Sequence, residues 1–234
     1  MTKPLAIDLY CGLGGWAEAF LAEGYDVIGF DIERHDYGTG GYPGQLVLAD
    51  VLDLHGAQFR NAAVIVASPP CTEPSYRAMP WKRAKALNAA GPPSKFLCLF
   101  YACFKIQQQA CEAAGRHIPL IVENVKGAQP WVGRARWHFG SYYLWGDVPA
   151  LMPVAKTLRK SQHSPLVDTP AGTGKTSWFF GNSKHENRYC GTRIEGQNWS
   201  RHAETGEARK KASAEIAKIP LPLARHIARC FLPE

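Results

Sequence analysis

The sequence lacks several features that would assign it to a specialised class of protein. It contains no run of about 18 uncharged apolar residues, so no membrane-spanning helix is expected. Its seven cysteines form no CxxC pair and no short cluster with histidine, which argues against a bound metal and against a disulfide framework. An acidic residue at Asp8 comes too early for a signal peptide. These absences favour a cytoplasmic protein with no metal site and no membrane partner.

The composition is that of an ordinary globular protein with an excess of positive charge. Of the 234 residues, 46% are hydrophobic and 20% are charged, and the length corresponds to one domain with at most a small appendage. Lys and Arg number 27 against 20 Asp and Glu, which gives a net charge of +7. This balance favours a polyanionic partner, although a merely basic protein would show it too. We expect the protein to be a monomer.

Short apolar runs alternate with helix-like segments over most of the chain. Their length and β-branched content predict buried strands at Leu5–Tyr10, Asp26–Asp31, Leu46–Asp50, Ala63–Pro70 and Pro119–Val125. Apolar residues at helical spacing predict helices over Gly15–Glu23, Ser94–Ala114, Ala208–Ile219 and Leu221–Phe231, the last two broken around Pro220 and Pro222. This alternation predicts an α/β fold, a doubly wound and mostly parallel sheet with helices on both faces.

The segment after residue 146 has a different character. It is rich in small and polar residues and shows no sustained periodicity, and between Leu151 and Lys210 it carries 10 Lys and Arg against 5 Asp and Glu. We interpret it as a small, irregular, basic insertion. The chain thus divides into a main domain at 1–146, the insertion at 147–206, and C-terminal helices at 207–234 that return to the main domain.

Ligand-binding and reactive residue types follow the predicted strands at their carboxyl ends. In a doubly wound sheet these ends meet at one edge, where ligands bind. The residues concerned are the turn 11–15, Asp31, Asp50, Cys71 and Glu123. Glycine lets the backbone approach a ligand, Asp31 is placed to bind ribose hydroxyls, and Asp50 could hold an adenine amino group. Because the turn lacks the G-x-G-x-x-G pattern, the set suits an adenosine-containing cofactor without a pyrophosphate.

Cys71 is the candidate nucleophile. It follows two prolines, which stiffen the backbone that presents the thiol, and it precedes a loop rich in basic residues. Nearby positive charge favours the reactive thiolate. A lone cysteine is more often a buried structural residue, but a position at the end of a strand and beside a basic loop favours a nucleophile.

Five motifs resemble those of the cytosine-C5 methyltransferases and follow one another in the order of that family. The segment DLYCGLGGW at 8–16 resembles the cofactor motif, SPPC at 68–71 the nucleophile motif, and ENV at 123–125 the glutamate motif. RAR at 134–136 resembles the Arg-x-Arg motif, and IPLPLARHIA at 219–228 resembles the closing helix. The resemblance spans nearly the whole chain, whose brevity is similar to that of phage- or prophage-borne members. It implies a Rossmann-like fold that binds S-adenosylmethionine.

The resemblance also implies the role of individual residues. The cofactor would be held by Asp8, Tyr10, Gly12, Leu13, Gly15, Asp31, Ile32, Asp50, Val51, Pro70 and Leu99, with Tyr10 stacked on the adenine. Cys71 would attack C6 of a cytosine, and Glu123 would stabilise the charge that develops on the ring at N3. Arg134 and Arg136 would hold the base and a phosphate, or orient Glu123. Because the base cannot be reached inside a duplex, it would flip out.

The nucleic-acid contacts implied by the resemblance fall in two segments. Residues 72–91 would form a mobile loop over the flipped base, with DNA contacts from Ser75, Arg77, Lys82 and Arg83. The segment 147–206 occupies the target-recognition position, and its basic side chains interleave with aromatic ones, as suits nucleic acid: Lys175, Lys184, Arg188 and Arg193. The expected partner is double-stranded DNA, with or without a cognate restriction enzyme.

One departure from the family concerns the position before the last helix. The family's Gly-Asn is missing there, and with a one-residue gap Lys218 takes the place of the asparagine. An ammonium near the sulfonium would disfavour the ordinary cofactor and favour one with an extra carboxylate. A carboxy-S-adenosylmethionine that yields 5-carboxymethylcytosine is therefore an alternative, unless Lys218 points to solvent.

Two other functions fit the same motifs. One is an RNA cytosine methyltransferase, since one branch of the family modifies tRNA. The other is a catalytically silent protein that binds nucleic acid and has kept the fold. The intact set of Cys71, Glu123 and Arg136 argues against a silent protein.

Overall fold

The fold consists of seven strands and four helices in the part of the chain that the structure describes. The structure, a computed structural model, describes residues 2–36, 40–71, 95–153, 214–215 and 217–233. The strands are β1 (Leu5–Leu9), β2 (Asp26–Asp31), β3 (Gln45–Leu48), β4 (Ala62–Ala67), β5 (Leu120–Asn124), β6 (Trp137–Phe139) and β7 (Tyr142–Gly146). The helices are α1 (Gly15–Ala22), α2 (Lys95–Ala114), α3 (Gln129–Val132) and α4 (Leu221–Cys230), with 3-10 turns at Val51–Asp53, Gly56–Phe59 and Lys126–Ala128.

All seven strands join one sheet in the order β3-β2-β1-β4-β5-β7-β6. The five strands from β3 to β5 in this order are parallel, whereas β7 runs antiparallel to both β5 and β6. The chain builds outward from β1 in one direction through β2 and β3, and in the other through β4 and β5. The direction of winding therefore reverses between β1 and β4, and in open α/β sheets such a reversal leaves a crevice at the carboxyl ends of the strands.

Helices cover both faces of the sheet because successive strand residues point to opposite sides. Helices α1 and α4 pack on one face, in a core that includes Phe20 and Ile227. Helix α2 packs on the other face, in a core that includes Phe100 and Ile106. Within the described ranges, none of the helices is both long enough and apolar enough to cross a membrane.

Helix α4 is joined to α1 by polar contacts as well as by the core. The carboxylate of Glu23 accepts hydrogen bonds from Arg225 Nε at 2.5 Å and from Arg229 Nε at 2.9 Å. The buried hydroxyl of Tyr25 donates to the carbonyl of Ala228 at 2.9 Å. The end of the chain thus packs against its beginning. The divisions at 146 and 206 stay predictions, since residues 154–213 lie outside the described residues.

The α/β fold expected from the sequence, with its mostly parallel sheet, is confirmed. Strand β4 ends at Ala67 rather than at Pro70 because proline has no N–H to donate to a ladder. Helix α4 begins at Leu221, as predicted, and Pro222 lies in its first turn, where a missing N–H leaves no hydrogen bond unmade. The predicted helix at 208–219 lies largely outside the described residues.

The antiparallel hairpin of β6 and β7 was not predicted from the sequence. Its strands have three and five residues and no clear alternation of polar and apolar side chains. The signal that could have revealed it is the two-residue turn Gly140-Ser141 between aromatic runs, with Gly140 at φ +61°. A glycine with positive φ at the first turn position is typical of tight hairpins.

Candidate functional site

The candidate site lies at the carboxyl edge of the sheet, where the chain leaves β1 toward β2 and leaves β4 toward β5, on opposite sides. The turn 10–14 follows β1 and the segment 68–71 follows β4. Two hydrogen bonds join Ser68 to the residues that flank the turn: Ser68 N–H donates to Leu9 O at 3.1 Å, and Trp16 Nε1 donates to Ser68 Oγ at 3.0 Å. The predicted cofactor turn and the predicted nucleophile segment are therefore neighbours, as the sheet order requires.

Gly12 is the open position of the glycine turn. Its φ is +50°, and a Cβ built on it would meet no atom of the described residues within 4 Å. Its N–H donates to Asp31 Oδ2 at 2.9 Å, which joins the end of β1 to the end of β2. The turn therefore leaves room beside Gly12 for a ligand, and a side chain there would be strained and would fill that space.

The neighbouring glycines are required by packing. A Cβ on Gly14 would lie 2.4 Å from Pro43 Cδ, and a Cβ on Gly15 would lie 2.6 Å from the backbone nitrogen of Ile219. Gly15 thus lets the segment before α4 pack against the start of α1. Its predicted place against the cofactor stays a prediction, and the structure adds a reason for glycine that the sequence did not reveal.

Asp31 is a buried carboxylate with several donors. It ends β2 and is 8% exposed. Besides the Gly12 N–H, it accepts from the N–H of Glu33 at 3.4 Å and lies 3.4 Å from His35 Nε2. Burial alone would raise the pKa of Asp31, but the hydrogen bonds from His35 and Gly12 outweigh it and hold the pKa below its ordinary value. Asp31 is therefore ionised at neutral pH and can accept further hydrogen bonds.

Asp8 is a second acid on the same face of the sheet and is completely buried. Its Oδ2 accepts a hydrogen bond from the hydroxyl of Tyr42 at 3.1 Å, while its Oδ1 has no hydrogen-bond partner among the described residues. Burial raises the pKa of Asp8 well above its ordinary value, the bond from Tyr42 opposes this, and Asp31 adds to it. Tyr42 was not identified from the sequence; the only local signal is the Tyr-Pro pair flanked by glycines.

The remaining predicted cofactor residues differ in exposure. Tyr10 is half-buried with φ +57°, and its hydroxyl donates to the carbonyl of Leu99 at 2.9 Å. Asp50 Oδ1 accepts from the N–H of Leu52 at 2.9 Å and so caps a short 3-10 turn, and its adenine contact stays a prediction. The apolar residues divide into buried and exposed ones: Leu13, Val51 and Leu99 are buried, and Ile32 and Pro70 are exposed.

Asn124 holds the segment that carries Cys71. Its side chain is 1% exposed, Nδ2 donates to Pro69 O at 2.8 Å, and Oδ1 accepts from the N–H of Val125 at 2.8 Å. These bonds fix the two prolines between β4 and the half-buried Cys71 against the end of β5. The sequence identifies Asn124 only as the middle residue of the ENV motif. Its contact with Pro69 could not be predicted, because it depends on the pairing of β4 with β5.

Glu123 lies on β5, and the two predicted arginines lie just before β6, which β7 separates from β5 in the sheet. Glu123 is 4% exposed and stands opposite Leu144 of β7, whose carbonyl accepts from the N–H of Arg136 at 2.9 Å. Arg134 and Arg136 are exposed. The orienting role of the arginines stays a prediction.

Lys218 lies beside the start of α1. Its Nζ forms an ion pair with Glu18, and its carbonyl accepts from the hydroxyl of Tyr142 at 3.0 Å. The Lys218 Cγ would lie 2.9 Å from a Cβ on Gly15, so the side chain is close to the glycine turn. The ammonium charge near this turn is thus matched by a carboxylate of the chain itself.

The predicted DNA-contacting residues lie outside the described residues. They are Ser75, Arg77, Lys82 and Arg83 in the predicted loop and Lys175, Lys184, Arg188 and Arg193 in the predicted recognition segment.

Comparison with known proteins gives only distant similarity. No protein-family model matches the chain, and no curated protein matches it. A solved structure assigned as a prophage-encoded DNA modification methyltransferase of E. coli is 21% identical over 54% of this chain and 33% of its own, with a TM-score of 0.38. Spodoptera frugiperda DNMT2 is 21% identical over 55% of this chain and 37% of its own, with a TM-score of 0.34. Entamoeba histolytica methyltransferase EhMeth is 12% identical over 76% and 63%, with a TM-score of 0.43.

The chain spans less than two thirds of the length of each of these three proteins. At these identities and TM-scores the similarity assigns neither a family nor a function to the chain. The functional conclusion therefore depends on the residues at the carboxyl edge of the sheet.

Proposed function

We propose that this protein is an S-adenosylmethionine-dependent methyltransferase that modifies C5 of cytosine in double-stranded DNA. The observation that carries the proposal is the convergence, at the reversal between β1 and β4, of an open glycine turn, an ionised carboxylate and a cysteine. A buried glutamate, Glu123, is the penultimate residue of the adjacent strand β5. This set supplies a place for an adenosine-containing cofactor beside a nucleophile and a proton donor.

The residues of the turn suit S-adenosylmethionine. The open side of Gly12 leaves room for the methionine part of the cofactor. Asp31 has lone pairs left to accept hydrogen bonds from the ribose hydroxyls. The buried side chains of Leu13 and Val51 offer apolar surface near the same edge. When bound there, S-adenosylmethionine supplies an electrophilic methyl group on a sulfonium.

The residues of the chain then have distinct tasks. Cytosine C5 is a poor nucleophile, and addition of the Cys71 thiolate to C6 moves a pair of ring electrons toward C5 and activates it. Glu123 holds a proton at N3, which stabilises the charge that develops on the ring. After methylation, loss of the proton from C5 to a base restores the double bond as the Cys71 sulfur leaves.

The ion pair between Lys218 and Glu18 favours the ordinary cofactor over a carboxylated one. The Lys218 charge was the reason to expect an extra carboxylate on the cofactor, and Glu18 already neutralises it. We therefore assign the ordinary methyl transfer to this protein and treat 5-carboxymethylcytosine as an outcome that the assay must distinguish.

Transfer of a radiolabelled methyl group to DNA and to tRNA, followed by mass spectrometry of the nucleosides, tests this function. We expect 5-methylcytosine in DNA. Label in tRNA alone would assign the RNA alternative, carboxymethylcytosine with both cofactors offered would assign the carboxylated one, and no transfer with retained DNA binding would assign the silent protein.

The nucleophile is tested with a matched pair of cysteine variants. Cys71→Ala should abolish transfer and the covalent adduct with 5-fluorocytosine DNA. Cys230→Ala, at an exposed cysteine at the end of α4, should change neither. A Cys71→Ala chain that still methylates cytosine would refute the assignment of this residue.

A further inference from the structure

Tyr42 connects three parts of the candidate cofactor site that are far apart in sequence. It precedes β3 and is half-buried on the face of the sheet that Asp8 occupies. A Cβ on Gly29 of β2 would lie 2.4 Å from Tyr42 Cζ, and a Cβ on Gly14 would lie 3.0 Å from Tyr42 Cδ2. The ring therefore lies directly against the backbone of β2 and of the glycine turn, and its contact with Gly29 leaves no room for a Cβ.

Among the described residues, the hydroxyl of Tyr42 donates a hydrogen bond to the carboxyl group of Asp8. The bond to Asp8 Oδ2 is 3.1 Å long, and Asp8 Oδ1 has no hydrogen-bond partner in the described part of the chain. Burial and the charge of Asp8 raise the pKa of Tyr42 far above its ordinary value, so its hydroxyl remains a donor at neutral pH. A buried carboxyl that loses such a donor is destabilised strongly, which makes this bond important for the end of β1.

Asp8 lies on the strand that leads into the turn. The chain continues through Leu9, the half-buried Tyr10 and Cys11 to Gly12, whose N–H donates to Asp31. A shift of Asp8 toward water would move the end of β1 and with it the Gly12 N–H. The Tyr42 hydroxyl thus acts on the turn through Asp8, while its ring acts on the turn through Gly14.

We infer that Tyr42 is a positioning residue of the cofactor pocket, which holds the glycine turn in place with its ring and holds Asp8 beneath the turn with its hydroxyl. This inference rests on the proposed function, because it concerns the affinity for S-adenosylmethionine. Tyr42 does not touch the cofactor in this scheme, and its effect should therefore separate cofactor affinity from DNA affinity.

The test compares Tyr42→Phe with Tyr25→Phe in the full chain. Both variants remove a buried tyrosine hydroxyl on the same face of the sheet, but Tyr25 donates to Ala228 in α4, away from the turn. Calorimetry with S-adenosylhomocysteine should show binding at least about tenfold weaker for Tyr42→Phe and within about twofold of wild type for Tyr25→Phe. The KM for S-adenosylmethionine should rise in parallel, while the KM for DNA stays constant.

Three outcomes would overturn the inference. Unchanged cofactor affinity in Tyr42→Phe would do so, as would an equal loss in both variants, which would indicate a general loss of stability. A wild-type chain that bound no S-adenosylhomocysteine would overturn both this inference and the proposed function, so the two failures can be told apart.

A second pair of variants tests the same bond if Tyr42→Phe does not fold. Asp8→Asn keeps an oxygen that can accept from the Tyr42 hydroxyl, whereas Asp8→Ala removes the acceptor. Asp8→Asn should bind S-adenosylhomocysteine at least about fivefold more tightly than Asp8→Ala. Equal affinities would contradict a positioning role for the bond.

Discussion

Replacement of Asn124 by aspartate should uncouple the Cys71 segment from the sheet while it leaves the cofactor turn intact. Asn124→Asp preserves the shape of the side chain and the oxygen that accepts from the N–H of Val125. It exchanges the Nδ2 donor, now 2.8 Å from Pro69 O, for an oxygen. Two acceptors would then face each other in a site where the side chain is 1% exposed.

The cost follows from the lost donor. A buried acceptor left without its donor costs about 1–3 kcal/mol, and a middle value of about 2 kcal/mol corresponds to about thirtyfold fewer molecules with the segment correctly placed. Burial also raises the pKa of a new carboxyl group. Its protonation at lower pH would restore a donor toward Pro69 O, so the defect should shrink on acidification.

The assay is methyl transfer at saturating S-adenosylmethionine and DNA, at about pH 8 and about pH 6, with each rate divided by the wild-type rate at the same pH. We expect a deficit of about thirtyfold at the higher pH that becomes smaller at the lower pH, with unchanged affinity for S-adenosylhomocysteine. Gln107→Glu is the matched control, because Gln107 Nε2 also joins two segments, at Ile118 O and Asp147 Oδ2, but at the opposite edge of the sheet. It should lower stability and leave the relative rate unchanged.

Two results would refute this reasoning. One is a wild-type rate for Asn124→Asp at pH 8, which would mean that the bond to Pro69 does not place Cys71. The other is an equal loss of relative rate in Gln107→Glu, which would mean that general destabilisation, rather than the position of the segment, controls the rate.

Three further predictions concern stability. Gly15→Ala should lower the free energy of unfolding by about 1–3 kcal/mol in urea titrations, because its Cβ would lie 2.6 Å from the Ile219 nitrogen; an unchanged unfolding midpoint would contradict this contact. The pKa of Glu23 is lowered by hydrogen bonds from the two arginines of α4, so its contribution to stability is complete above the pKa of the unfolded chain and is lost as pH falls through the lowered folded value. Glu23→Gln should therefore lower Tm at neutral pH, and the difference from wild type should shrink as the solution is acidified below the ordinary pKa of a glutamate. The pKa of Asp8 is raised by burial, so the folded chain binds a proton more readily than the unfolded chain and loses stability as pH rises. Asp8→Asn should therefore raise Tm at neutral pH and leave Tm unchanged in acid. A lower Tm at neutral pH would refute this prediction.

The sequence by itself determined the fold class and the edge at which the candidate residues meet. Buried parallel strands appear as short β-branched runs, and helices appear as apolar residues at helical spacing, so both are readable from neighbours in the chain. Asp31 and Cys71 each come at the end of such a run. Because parallel strands present their carboxyl ends on one side, both residues could be assigned to the same edge of the sheet. The hairpin of β6 and β7 was missed because its strands are short and carry no clear period.

Only the tertiary structure decided which side chains hold these residues in place. Tyr42 reaches Asp8 across 34 positions, and Asn124 reaches Pro69 across 55. Gly15 is explained by a segment at the other end of the chain, at Ile219. Such contacts depend on the order and register of the strands, which bring together residues whose local sequences contain no sign of each other. Local periodicity determines the elements, but the pairing of strands determines which polar groups lose access to water and must bind one another.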